Sequence, residues 1–125
     1  MYFYTTANDG TAGIEIWGTY GNITAIGTIT ANSFNATSDK RLKTNFRPFA
    51  HGDILSLPLY KFDFISSQRK DAIGCLAQDL QQICPEIVHE DKNGYLSIEE
   101  SKIVYLLLDK MKEMQAEIDA LKEGK

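Results

Sequence analysis

The sequence is poor in most of what an enzyme or a membrane protein needs. It has two cysteines, Cys75 and Cys84, too few for a disulfide framework. They read as reduced, buried small hydrophobes, and as a metal pair they would lack partners. That usage suits a reducing cytoplasm. No apolar run is long enough to span a bilayer, and no charged-then-apolar leader opens the chain. The two histidines, His51 and His89, stand alone and read as satisfied surface or core residues rather than ligands. There is no GxxxxGK[ST] phosphate loop and no HExxH, CxxC or GxSxG string. Glu99 and Glu100 are adjacent, so their side chains diverge; they fit the first turn of a helix, where the dipole favours acid. The formal net charge of −4 argues against nucleic-acid or anionic-membrane partners. The basic run Lys40, Arg41, Lys43, Arg47 is short and has no interleaved aromatics. No cofactor, metal, nucleic acid or membrane is expected.

Charge is also unevenly spread. In residues 1–36 only Asp9 and Glu15 are charged; the rest is Thr, Gly, Ala, Ile, Asn and aromatics. Apolar and polar residues alternate in Ile14-Glu15-Ile16-Trp17 and again across Gly27–Ala31, the period of short strands. Gly10, Gly13, Gly18, Gly21 and Gly27 interrupt them. Such strands are too short and polar to close a core alone and read as one chain's share of an intertwined β-stalk. A polar, basic connector follows over residues 37–50, and then a mixed region. Asp53–Leu57 reads as a short helix ended before Pro58, Leu59–Ile65 as a strand, Ser66–Asp71 as a turn. Ile73–Ile83 has helical spacing, with Leu76, Leu80 and Ile83 on one face and Pro85 as the stop. Ile87–His89 and Tyr95–Ile98, joined by Asp91-Lys92-Asn93-Gly94, read as a β-hairpin.

The last element is the clearest. From Ser97 or Glu99 to about Lys122 there is no Pro or Gly. Val104, Leu107, Met111, Met114, Ile118 and Leu121 recur at alternating three- and four-residue steps, an a/d seam. The seam covers under three heptads, so an isolated helix would be marginal. Two readings stay open: an amphipathic helix packed on its own domain, or a parallel coiled coil, three-stranded if the stalk is. Beyond Met111 the coiled coil is the better reading. The fold class is therefore α+β: β-stalk strands at the N-terminus over 1–37, a small mixed domain from residue 38 onward, and a long terminal helix over 99–122.

Ser38 and Lys43 are what remains for chemistry. A serine hydroxyl needs a base, and a lysine amine serves only when desolvation or nearby positive charge makes it less basic; Lys40 and Arg41 could supply the charge. The five-residue spacing does not place both groups on one helix face, so a turn or a neighbouring subunit must join them. On spacing alone, Ser-Asp before a basic segment is a turn or helix cap with a solvated lysine.

The string Ser38-Asp39-Lys40-Arg41-Leu42-Lys43-Thr44-Asn45 resembles the S-D-x-R-x-K-x-N opening of the intramolecular chaperone domain. That family terminates phage endosialidases, tail fibres and neck appendages and also occurs in the myelin regulatory factor. Gly74-Cys75-Leu76-Ala77-Gln78-Asp79-Leu80, followed by Pro85-Glu86-Ile87-Val88, resembles a second block, G-x-x-A-Q-[DE]-[VL]…P-[ED]-x-V. Tyr95–Ile98 and Ile103–Leu106 resemble its closing strand and helix, although a typical member carries Asp-Tyr before the helix. Gly27–Phe34 resembles the last turn of the stalk before the cut.

The resemblance implies a homotrimer that guides folding of an upstream phage tail-spike or fibre stalk and then cleaves itself just before the motif serine, here between Thr37 and Ser38. It implies Ser38 as nucleophile and Lys43 as general base, with Asp39 a third catalytic candidate that orients a partner and Arg41 no more than electrostatic or structural. The partners expected are two further copies and the parent's own stalk. The setting expected is the host cytoplasm during virion assembly, with the parent in the virion tail. Two rivals from other classes stand beside this: a non-enzymatic trimerisation foldon with an inert Ser38, and a receptor-binding fibre tip using Tyr2, Phe3, Tyr4, Trp17 and Tyr20.

Overall fold

The structure is a computed structural model that describes residues 23–65 and 68–124. The chain divides into two compact units, Met1–Thr44 and Asn45–Lys125. The expected strand at Ile14–Trp17 and the aromatics Tyr2, Phe3, Tyr4, Trp17 and Tyr20 lie outside the described residues.

In the first unit, residues 23–39 form no strand, so the alternation across Gly27–Ala31 does not produce one here. Every residue from 23 to 44 is exposed, Ile26 and Phe34 included. The physical reason is that a strand exists only as half of a ladder, and none of these residues is paired. Among the described residues of this unit the regular element is a 3-10 turn, Lys40–Leu42.

The second unit is built on two short antiparallel pairs. Strand β1 (Tyr60–Phe62) pairs with β2 (Ala72–Gly74), in the register Tyr60↔Gly74 and Phe62↔Ala72. Gly74 lies under an aromatic: a Cβ there would meet Phe62 Cε1 at 3.3 Å. The helix expected from Ile73 starts later: Ile73 and Gly74 lie in β2, and α1 (Ala77–Ile83) follows. A short apolar run fits either element by spacing, and here the cross-strand pairing with β1 decides it. Of the expected helix face, Leu80 and Ile83 are buried, while Leu76 precedes the helix and is half-exposed. Cys75 likewise falls before α1 and is only partly covered, whereas Cys84, at the helix end, is buried; both are free thiols.

After α1, Pro85–Ile87 makes one 3-10 turn. Strands β3 (Val88–Glu90) and β4 (Leu96–Ile98) then form the expected hairpin. Its turn follows from two residues. The Asp91 carboxylate accepts from the Asn93 and Tyr95 backbone N–H groups at 2.8 and 3.0 Å, and Gly94 takes φ of +86°, a region that favours glycine. A 3-10 turn at Glu100–Lys102 leads into α2 (Ile103–Glu123), so the terminal helix starts later than its composition suggests because Ser97 and Ile98 belong to β4.

One cluster holds the unit together: Ile54, Leu80, Ile83, Cys84, Ile87 and Leu106, with Leu57, Val88, Ile98 and Ile103 against its margin. Ile54 sits in a 3-10 turn (Ile54–Ser56) capped by the Asp53 carboxylate, which accepts from Leu55 N–H. Helix α2 joins the cluster through Leu106, 1% exposed, with Ile103 against its margin. The expected seam lies on the neighbouring face. Val104, Leu107, Met111, Met114, Ile118 and Leu121 are all exposed, Met111 by 65% and Leu121 by 77%. Every residue from Met111 to Gly124 is exposed. The helix thus packs on its own domain upstream of Met111, and its apolar seam runs uncovered past it.

A polar clamp ties the start of the unit to α2. His51 Nδ1 donates to the Gly52 carbonyl at 2.7 Å, and Nε2 faces Asp109 Oδ2 at 2.6 Å. A carbonyl can only accept, so Nδ1 carries a proton, and a carboxylate at the other nitrogen favours a second one. Asp109, then the Gly52 carbonyl, then the charge of Glu113 hold His51 above its ordinary value against partial desolvation. Lys110 spans Asp53 and Glu113 at 3.6 and 3.5 Å beside it.

Two outcomes follow for this unit. Leu80→Ala should cost about 2–5 kcal/mol, the usual loss for a fully buried leucine, read as a fall in the urea midpoint at unchanged slope. His51 should titrate above the ordinary histidine value of about 6.5 in an NMR titration, and Asp109→Asn should bring it down. Because the folded value is raised, the stability it contributes is full below the unfolded value and is lost as pH rises through the folded one.

Candidate functional site

The segment Ser38–Lys43 reverses on itself within six residues because its polar groups satisfy one another locally. Asp39 is extended (φ −67°, ψ 132°) and caps the 3-10 turn, its carboxylate accepting from Arg41 N–H at 2.8 Å. The turn then closes through backbone bonds from Leu42 N–H to the Asp39 carbonyl (3.0 Å) and from Lys43 N–H to the Lys40 carbonyl (3.2 Å). Lys43 leaves the turn extended (φ −124°, ψ 150°).

That reversal brings the two reactive side chains together. Lys43 Nζ donates to Ser38 Oγ at 2.6 Å. The turn does what a helix could not do at five-residue spacing, within a single chain. The bond between Thr37 and Ser38 is adjacent to the pair, and Thr37, Ser38 and Lys43 are all exposed.

Asp39 does not join the Ser38–Lys43 contact. Its Oδ1 accepts from Arg41 Nε at 3.1 Å and its Oδ2 from Arg41 Nη2 at 2.9 Å. The guanidinium beside it, with the Arg41 backbone N–H, holds the carboxyl below the usual carboxylate range. Of the three catalytic residues expected, the structure thus joins Ser38 to Lys43 and turns Asp39 to Arg41, as the cap reading of Ser-Asp allows. Asn45 carries a signal that spacing could not reveal: its φ is +56°, a left-handed conformation that Asn tolerates better than most residues. Its carbonyl accepts from Arg47 Nη1 at 2.8 Å.

Chemistry elsewhere among the described residues is weak. A cavity of about 420 Å³ opens beside β1, β2 and the start of α1, walled by Phe62, Phe64, Cys75, Leu76, Ile98 and Glu100. Burial pushes the Cys75 thiol up, and the charges of Glu100 and Asp79 act in the same direction, the opposite of what activates a thiol. His89 is engaged by Glu99 at 2.5 Å. Among the described residues no three His, Cys, Asp or Glu side chains are grouped to hold a metal ion, and no helix is long and apolar enough to cross a membrane.

No curated protein and no solved structure matches the chain. Residues 38–89, which run from the serine of the close Ser38–Lys43 pair into β3, match the family model described as chaperone of endosialidase, a peptidase family, in agreement with the resemblance carried by Ser38–Asn45 and Gly74–Val88.

Proposed function

We propose that the chain is a self-cleaving intramolecular chaperone of a phage tail-spike or tail-fibre protein, which trimerises, guides folding of the stalk before it, and is released by autoproteolysis between Thr37 and Ser38. The 2.6 Å contact between Lys43 Nζ and Ser38 Oγ, next to that bond, carries the reading. The family's chaperone and peptidase character supports it.

The chemistry runs as follows. Once Lys43 loses a proton to solvent, the 2.6 Å contact reverses its direction: the Ser38 hydroxyl donates to the neutral amine, which takes its proton. Ser38 Oγ attacks the Thr37 carbonyl carbon through a five-membered ring. The carbon–nitrogen bond breaks as the Ser38 nitrogen takes the proton back from Lys43, leaving a Thr37 ester on Oγ and a free α-amine. Water then hydrolyses the ester to a Thr37 carboxylate and restores the Ser38 hydroxyl. Direct attack by water, with Ser38 and Lys43 assisting, is the alternative, and a Thr37 hydroxamate formed in hydroxylamine separates the two.

Lys43 becomes a base only when it is desolvated or set beside positive charge, and in one chain it is exposed. In this reading further copies supply the cover, so cleavage waits for assembly. The uncovered seam of α2 supports trimerisation as a coiled coil, because an a/d stripe of exposed apolar residues is buried against the matching stripes of identical helices. Stalk strands that pair between chains fold slowly and expose edges. A terminal trimer raises their local concentration and sets their register, and a stalk held kinetically stays folded after release. The partners are thus two further copies and the parent's own stalk, in the host cytoplasm during assembly, with the parent in the virion tail. The functional boundary in this reading lies between residues 37 and 38, while the compact units divide after Thr44; Ser38–Thr44 then leaves with the released module as its N-terminal arm.

Ser38→Ala and Lys43→Ala should each slow conversion of the full chain into two fragments by at least about 100-fold, the usual scale of a lost general base, on a denaturing gel. An uncut wild type would leave a non-enzymatic foldon as the better account. Met111→Asp, at a position 65% exposed and outside the core cluster, should give a folded monomer by sedimentation and suppress cleavage with Ser38 and Lys43 intact.

A further inference from the structure

Within the Ser-Lys reading proposed above, we propose that Asp39 is a positioning residue: by capping the Lys40–Leu42 turn it delivers Lys43 to Ser38, and it has no part in the chemistry itself. The first ground is where its oxygens go. Oδ1 accepts from the Arg41 backbone N–H (2.8 Å) and from Nε (3.1 Å), and Oδ2 accepts from Nη2 (2.9 Å) and Nε (3.3 Å). Both oxygens are thus committed to Arg41, while the hydrogen bond of Lys43 Nζ goes to Ser38 Oγ.

The second ground is the path between the dyad members. Ser38 immediately precedes the cap, and Lys43 immediately follows the turn. Two backbone bonds, Leu42 N–H to the Asp39 carbonyl and Lys43 N–H to the Lys40 carbonyl, set how far the chain reverses between them. A three-residue 3-10 turn has poor hydrogen-bond geometry of its own, so an N-cap side chain accounts for a large share of its persistence. Losing the cap leaves both dyad side chains present but brings them together for a smaller fraction of the time. Arg41 contributes less, because its side chain is 89% exposed and exposed ion pairs are weak.

A cap and a catalytic carboxylate answer differently to substitution. Asparagine caps as well as aspartate and serine nearly so, yet neither carries the charge. In the full chain, Asp39→Ala should cut about five- to tenfold more slowly, the scale of a lost cap. Asp39→Asn and Asp39→Ser should stay within about twofold of wild type, and Arg41→Ala within about threefold. The midpoint of the cleavage rate against pH should not move in the Asp39 variants, because the carboxylate faces Arg41 and not the dyad. Sedimentation of each variant checks that assembly is unchanged. If Asp39→Asn is as slow as Asp39→Ala in assembled protein, or if either shifts the pH midpoint, the carboxylate acts through its charge and the proposal is wrong. Asp39→Ala at the wild-type rate overturns it as well. Wild-type cleavage in Ser38→Ala or Lys43→Ala would instead remove the dyad reading beneath it, so the two failures are separable.

Discussion

The turn that joins Ser38 to Lys43 is the constraint on which everything else in this chain depends. Two side chains five residues apart meet at 2.6 Å because the backbone between them reverses over three residues. The elements that hold the reversal are small: one carboxylate on one N–H, and two backbone bonds. All of it is exposed. A device of this kind can be present and idle, since solvent reaches the amine and the hydroxyl alike. It gains chemical consequence only when something excludes that water, which is how a reaction can be made to wait for a folded and assembled partner.

The second unit supplies the other half of that logic. Its core is a single cluster of six buried side chains in which Leu80 and Leu106 are the most enclosed. Three-residue strands cannot stand on their own; here β3 and β4 lay Val88 and Ile98 against the cluster. Helix α2 (Ile103–Glu123) contributes Leu106 and then continues for about 25 Å beyond it with no side chain buried. The His51–Asp109 contact and the Lys110 pairs fix the root of that helix, so its apolar seam projects from a defined base. A seam that is ordered at its root and uncovered along its length is suited to receiving identical helices.

Several of these features could be read from the sequence because they depend on local chemistry. The hairpin turn at Asp91–Gly94 needs a left-handed residue and received glycine. The short turn after Asp53 and the stop at Pro85 are equally local. The a/d seam was legible as a period, and Leu106 was not, because it belongs to a second face that only packing distinguishes. Ile73 and Gly74 looked helical since the apolar spacing from Ile73 continues into α1; the partners that make them β, Lys61 and Tyr60, lie 12 and 14 residues upstream. The His51–Asp109 clamp joins positions 58 residues apart and leaves no sequence trace. At the site, spacing argued against a Ser38–Lys43 contact on one helix, and the family resemblance was what singled the pair out. The division of labour that turns Asp39 toward Arg41 is set by turn geometry that no spacing rule contains.

The central claim is that this chain cuts itself at one bond. Purified wild-type chain, allowed to assemble and then analysed by intact mass together with N-terminal sequencing, tests it most directly. The account predicts two fragments, one ending at Thr37 with a free carboxylate and one beginning at Ser38 with an unmodified α-amine. A chain that stays whole in its assembled form, or a cut at any other bond, would contradict it.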